Sequence, residues 1–153
     1  MLSQTVEYAL RAAVQLASIA PGASTTAELA VITRVPPAYL AKVLQALGRA
    51  GIVTSHRGAG GGVSLTGIPR DVTILDIVEA TDPIQRITTC PLGLASHGKK
   101  LCPLHKRLDA ALEAVEDAFR ETTLAEVVGD PSRIKPLCEL RQTIGSSRER
   151  SRR

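Results

Sequence analysis

The segment Arg57-Gly-Ala-Gly-Gly-Gly62 constrains this chain more than any other. Four glycines in six residues give a backbone that can turn with positive φ and approach another surface closely. Short β-prone runs flank it, Ile52-Val-Thr-Ser-His56 and Val63-Ser-Leu-Thr66. The pattern predicts a two-stranded ribbon with a glycine-rich tip. A glycine loop that cradles nucleotide phosphates would end in Gly-Lys-Ser/Thr and open a helix. Here Val63-Ser-Leu follows, so that reading fails on context.

Three helices are expected ahead of the ribbon. Val6, Leu10, Ala13, Val14 and Ala17 fall on one face of a helix from Ser3 to Ile19, which Pro21-Gly22 stops. Thr25-Thr-Ala-Glu28 has the spacing of a capping box and opens a short helix to about Ile32. After a turn from Thr33 to Pro36, Pro37 suits the first turn of a third helix. That helix turns Leu40, Val43, Leu44 and Leu47 inward and ends near Gly51. Helices followed by a ribbon in this order predict a winged helix-turn-helix, mainly α with a small β-wing. Aromatic residues make up only 2% of the 153, with no Trp. The core must therefore be Leu, Val, Ile and Ala, a composition that favours helices.

Beyond the wing, Thr73 to Ala80 reads as a helix and Thr81 to Leu101 as an irregular stretch holding Cys90 and His97. Pro103 starts a long helix to about Thr122. Leu104, Leu108, Ala111, Leu112, Val115 and Phe119 share its apolar stripe, at the spacing of two helices packed together. Its acidic residues Asp109, Glu113, Glu116 and Asp117 read as a solvated face. Thr123-Leu-Ala-Glu126 is a second capping box. The expected organisation is a DNA-binding domain over residues 1–80, a cysteine-bearing sensor loop over 81–102, and a dimerisation helix with a short closing helix over 103–130. Residues 131–153 read as a disordered basic tail.

Charge divides along the same lines. Residues 1–70 hold six basic residues against Glu7 and Glu28, residues 71–140 eight against twelve acidic, and the tail from Arg141 five against one. A basic front and tail around an acidic middle suit contact with a polyanion, although an ordinary solvated surface has the same composition. Glu7 and Arg11 interrupt the first apolar stretch, and no membrane span or signal sequence is read, so a cytoplasmic protein is expected. No nucleophile motif or catalytic set emerges, so no enzyme is expected.

The expected DNA-facing residues are Ala38, Tyr39 and Lys42 of the third helix, joined by Thr26, Arg49, Arg57, Gly58 and Gly60. The N-terminal part of a recognition helix enters the major groove, where Lys42 reaches a base edge or a phosphate. Arg57 suits the minor groove, because the glycines let the backbone come close. Tyr39 has a second reading, as a half-buried packing residue. Cys90 and Cys102 lie too far apart for a paired zinc knuckle. On spacing alone they are thiols near two exposed histidines, His97 and His105, or they belong to a loop wrapped around a larger inorganic cluster. Cys138 stands apart.

In order and spacing these elements resemble the Rrf-type family of IscR- and NsrR-like winged-helix regulators. The resemblance covers about residues 1–130. It is carried by Leu2-Ser3, Tyr8-Ala-Leu10, Pro37-Ala-Tyr-Leu40, the wing Arg57–Gly62, Asp76-Ile-Val-Glu-Ala80, the cysteine-bearing loop and Thr123-Leu-Ala-Glu-Val127. It implies a homodimer joined through the long helix and bound to palindromic double-stranded DNA. It also implies an iron–sulfur cluster held between the loop of one subunit and the first helix of the other. Cys90 and Cys102 match the first and last of the three cysteines usual in that loop, and the middle one is missing. His105 and Glu7 match further ligands, with His97 as the alternative histidine. A mixed ligand set of this kind favours a 2Fe–2S cluster over a 4Fe–4S one. Glu7 has another reading, as an acidic residue favouring a helix N-terminus. Three functions stay open: a cluster-sensing regulator of DNA, a cluster-free regulator answering a metabolite, a partner protein or thiol oxidation, and a metal- or cluster-handling protein with an incidental wing.

Overall fold

A computed structural model of the chain describes residues 2–93, 100–132 and 136. His97, Cys138 and most of the expected tail lie outside the described residues. The element order is α1 (Gln4–Ile19), α2 (Thr26–Thr33), α3 (Pro37–Arg49), β1 (Val53–His56), β2 (Gly62–Leu65), α4 (Ile74–Thr81), α5 (Pro103–Glu121) and α6 (Leu124–Gly129), with a 3-10 turn at Pro69–Asp71.

Helix α1 is the hub, packing against α2, α3, α4, α6 and β2. Its Ala9, Ala12, Ala13 and Ala17 are buried, and small side chains let the surrounding helices come close. Leu16, Leu29, Leu40, Leu47, Ile77 and Leu124 fill the remaining volume and are fully buried. Truncating a leucine of this kind to alanine removes about 2–5 kcal/mol of stability.

Local chemistry sets the element boundaries. The capping box of α2 is present in both directions, the Thr25 amide donating to Glu28 Oε2 at 3.0 Å and the Glu28 amide to Thr25 Oγ1 at 3.2 Å. Thr73 with Asp76 opens α4, and Thr123 with Glu126 opens α6, in the same way. These last two helix starts are stitched together: the Ile74 amide donates to the Thr122 carbonyl and the Leu124 amide to the Val72 carbonyl, both at 2.9 Å. Strands β1 and β2 are antiparallel, with Val53 opposite Leu65 and His56 opposite Gly62.

Helix α5 differs from the rest because none of its residues is buried. Its predicted single stripe divides in two. Leu112 and Phe119 are half-buried, with Phe119 against the core, while Leu104, Leu108 and Val115 remain 63%, 47% and 40% exposed. Spacing alone could not separate these sets, since i, i+3 and i+4 neighbours cover more than a third of a helix circumference.

Candidate nucleic-acid interface and sensor loop

Burial of Leu40, Val43, Leu44 and Leu47 fixes the rotation of α3 and leaves Ala38, Tyr39, Ala41 and Lys42 facing outward. Tyr39 is both exposed and packed. It is 49% exposed, yet its ring meets Tyr8 of α1 edge-on, with centroids 5.9 Å apart. The Lys42 ammonium sits 5.7 Å from the Tyr39 ring centre, and the Arg11 guanidinium 5.8 Å from that of Tyr8. A cation–ring–ring–cation ladder thus joins α1 to α3, each contact contributing about 0.5–1 kcal/mol at an exposed site. Arg11 also bonds Glu7 Oε1 through Nε at 2.9 Å and donates from Nη1 to the carbonyl of Thr33, at the end of α2, at 3.4 Å. Tyr8 and Arg11 were not in the expected set. The sequence signal for Arg11 is the Glu7–Arg11 spacing of an i,i+4 helix pair, and Tyr8 stood only among the residues that carry the family resemblance.

The wing rests on a seat that the sequence did not announce. Ser24 pairs with Val63 as a one-residue third strand, the Ser24 amide donating to the Val63 carbonyl at 2.9 Å and the Val63 amide returning the bond at 2.8 Å. Gly62 lies so close to this seat that a Cβ there would be 2.6 Å from the Ser24 carbonyl oxygen. A glycine is therefore required at the root of the ribbon, outside the Gly58 and Gly60 of the expected set. Cross-strand contacts between Thr54 and Thr66 and between His56 and Ser64, each 2.8 Å, stiffen the ribbon. Arg57, Gly58 and Gly60 are exposed at the tip, Thr26 at the start of α2 and Arg49 at the end of α3.

In the loop, Cys90 is buried and Cys102 half-buried at the N-cap of α5, and the two are not joined in a disulfide. Cys102 Sγ and His105 Nδ1 are 3.2 Å apart, so the first turn of α5 brings this sulfur and nitrogen donor together. Glu7 is exposed and ion-paired with Arg11. Among the described residues of one chain, no group of three or more Cys, His, Asp or Glu gathers as a metal site. Among the described residues of one chain, Cys102 and His105 thus form a donor pair.

The acidic residues of α5 correct an expectation. Instead of forming a solvated face, three of them collect Arg86 of the loop. Arg86 grips Asp109 with two bonds, from Nε at 2.7 Å and Nη2 at 2.8 Å, reaches Glu116 at 3.1 Å, and lies 3.7 Å from Glu113. The Ile87 amide also donates to Asp109 Oδ1 at 2.9 Å. The guanidinium bonds, followed by that amide bond, hold the Asp109 carboxyl down at about 2, and the same pairing raises Arg86. Glu126 is lowered by the Thr123 amide and hydroxyl of its capping box. Sequence reasoning missed Arg86 because its partners lie 23 and 30 positions away.

Residues 2–130 match the model of the Rrf2 family, described as an iron-dependent transcriptional regulator. The chain belongs to the Rrf2 family. A relative of this Rrf2 protein in Aquifex aeolicus, named for an HTH-type transcriptional regulator, is 30% identical over 84% of this chain and 91% of its own length. The HTH-type transcriptional repressor NsrR of Streptomyces coelicolor is 29% identical over 86% of this chain and 90% of its own. CymR, the global cysteine regulator of B. subtilis, has a solved structure that superposes with a TM-score of 0.71 at 23% identity, covering 86% of this chain and 98% of CymR. T. potens IscR also gives 0.71 at 23%, over 86% of this chain and 88% of IscR. These two likenesses bear on the fold, which is the expected winged helix. This Rrf2 protein is a DNA-binding transcriptional regulator and not an enzyme. The reading of an incidental wing is thereby set aside. Among the described residues, no helix is long and apolar enough to cross a membrane.

Proposed function

We propose that this Rrf2 protein is a cytoplasmic homodimeric repressor that reads a palindromic operator with α3 and its wing and changes affinity through the cysteine-bearing loop. The observation that carries the DNA-reading half is the exposure of Thr26, Ala38, Tyr39, Lys42, Arg49, Arg57, Gly58 and Gly60 on a body that buries the opposite face of α3. Residues 1–80 form the DNA-binding unit, 81–102 the sensor loop and 103–130 the dimerisation unit, whose apolar contact is the exposed row Leu104, Leu108 and Val115 on α5. The test is fluorescence anisotropy of a labelled duplex over a salt series. Binding weakens steeply with salt, and Arg57→Ala loses about 1–3 kcal/mol. Absence of binding at low salt refutes the reading.

For the sensor, Cys90, Cys102 and His105 of one subunit with Glu7 of the other would hold a 2Fe–2S cluster, with His97 as the alternative nitrogen donor. The Cys102–His105 pair at 3.2 Å supports this set. The cluster would supply redox or nitric oxide sensitivity, while Glu7 would have to leave Arg11 to join it. The absence of a three-donor group among the described residues of one chain favours a second reading, a cluster-free regulator that answers thiol oxidation, a metabolite or a partner protein. An absorption spectrum of protein purified without oxygen, with iron and sulfide counted per chain, separates them. The cluster reading expects a coloured protein that Cys102→Ala bleaches.

A further inference from the structure

Arg86 meets Asp109, Glu113 and Glu116 on one stripe of α5, and the same stripe continues towards the helix start through His105 to Cys102. Four residues beyond Arg86 the loop reaches Cys90, which is buried. We infer that Arg86 is the positioning residue of the sensor loop, clamping the backbone that leads to Cys90 against the face of α5 that carries Cys102 and His105. As an account of sensing, this rests on the reading of Cys90 and Cys102 as the sensor thiols; the clamp itself does not.

The geometry favours a dedicated clamp over a casual surface pair. Both bonds to Asp109 come from one edge of the guanidinium, the two-pronged arrangement that fixes direction as well as distance. Asp109 also takes the amide of Ile87, so the grip extends to the main chain of the loop. Three carboxylates at i, i+4 and i+7 repel one another when no cation lies between them, so this face of α5 depends on Arg86 as much as the loop does. Lysine cannot reproduce the grip, because a single ammonium is a point charge without the planar fork.

The test needs no metal. In full-length protein with Cys102→Ser and Cys138→Ser, the rate at which N-ethylmaleimide labels Cys90 reports how tightly the loop is held, since a buried thiol reacts only when its surroundings open. Arg86→Gln is expected to speed labelling roughly tenfold, Arg86→Lys by less, and Asp109→Asn to act as Arg86→Gln does. Combining Arg86→Gln with Asp109→Asn adds little to either alone, as partners in one interaction behave. Asp109→Asn keeps its size and removes only charge, so it decides the matter even if an Arg86 variant folds poorly. Labelling within about twofold of the parent rate in both single variants overturns the inference. A colourless wild-type protein would end the cluster reading and leave this result untouched, and unaltered labelling in the Cys102→Ser background beside a coloured wild-type protein would do the reverse.

Discussion

Replacing Gly62 by alanine probes how the wing is seated. An added Cβ would stand 2.6 Å from the Ser24 carbonyl oxygen, 2.8 Å from its carbon and 3.1 Å from the Thr25 nitrogen. All three are main-chain atoms that no rotamer change can move aside. Restoring ordinary contact requires the ribbon root to retreat by about 0.8 Å, which stretches both hydrogen bonds between Ser24 and Val63. Gly62 also holds φ at +153°, where alanine is strained. Overpacking of this kind removes about 1–3 kcal/mol and each weakened hydrogen bond up to about 1 kcal/mol. Because the terms overlap, we expect a loss of about 3 kcal/mol, or roughly 6–12 °C in melting temperature for a chain of this length. Gly60→Ala is the control: Gly60 also has positive φ, +79°, but nothing lies within 4 Å of its Cβ position, so backbone strain alone should remove about 1 kcal/mol. Urea denaturation followed by circular dichroism measures both. Equal losses in the two variants would refute the seat argument.

Two further predictions follow from single residues. Arg34 caps α2 in the left-handed region with φ at 53°, so Arg34→Gly should raise stability by about 0.5–1 kcal/mol in the same denaturation assay. Asp109 is held near 2 against an ordinary value of 3.8, so its ion pair contributes fully above about pH 4 and is lost as pH falls through about 2. A carboxyl-carbon NMR titration should give that low midpoint and show it rising towards 4 in Arg86→Gln. An unshifted Asp109 in the parent protein would contradict the clamp geometry.

Much of the DNA-binding half was legible because its signals are local. Capping boxes at Thr25 and Thr123 announce helix starts in four residues, and the 3.6-residue period of Leu40, Val43, Leu44 and Leu47 gives the buried face of α3. What escaped was tertiary. A one-residue strand at Ser24 has no period to detect, so the need for glycine at position 62 was invisible while the tip glycines drew notice. Asp109, Glu113 and Glu116 repeat at helical spacing whether water or a distant arginine faces them. The sensor chemistry was the least legible part, because two cysteines and a histidine around a loop state no geometry. The Cys102–His105 contact exists because the first turn of α5 brings them together.

The stitch between Val72–Ile74 and Thr122–Leu124 makes α5 a lever with its fulcrum at the C-terminal end. Nineteen helical residues extend about 28 Å from that fulcrum, so a tilt of about 5° carries the Cys102 end through roughly 2.5 Å. At Asp109, some 20 Å out, the same tilt produces nearly 2 Å of travel, enough to part bonds of 2.7 and 2.8 Å. Any such tilt must therefore part the latch to the loop as well as the packing of α5 against α4.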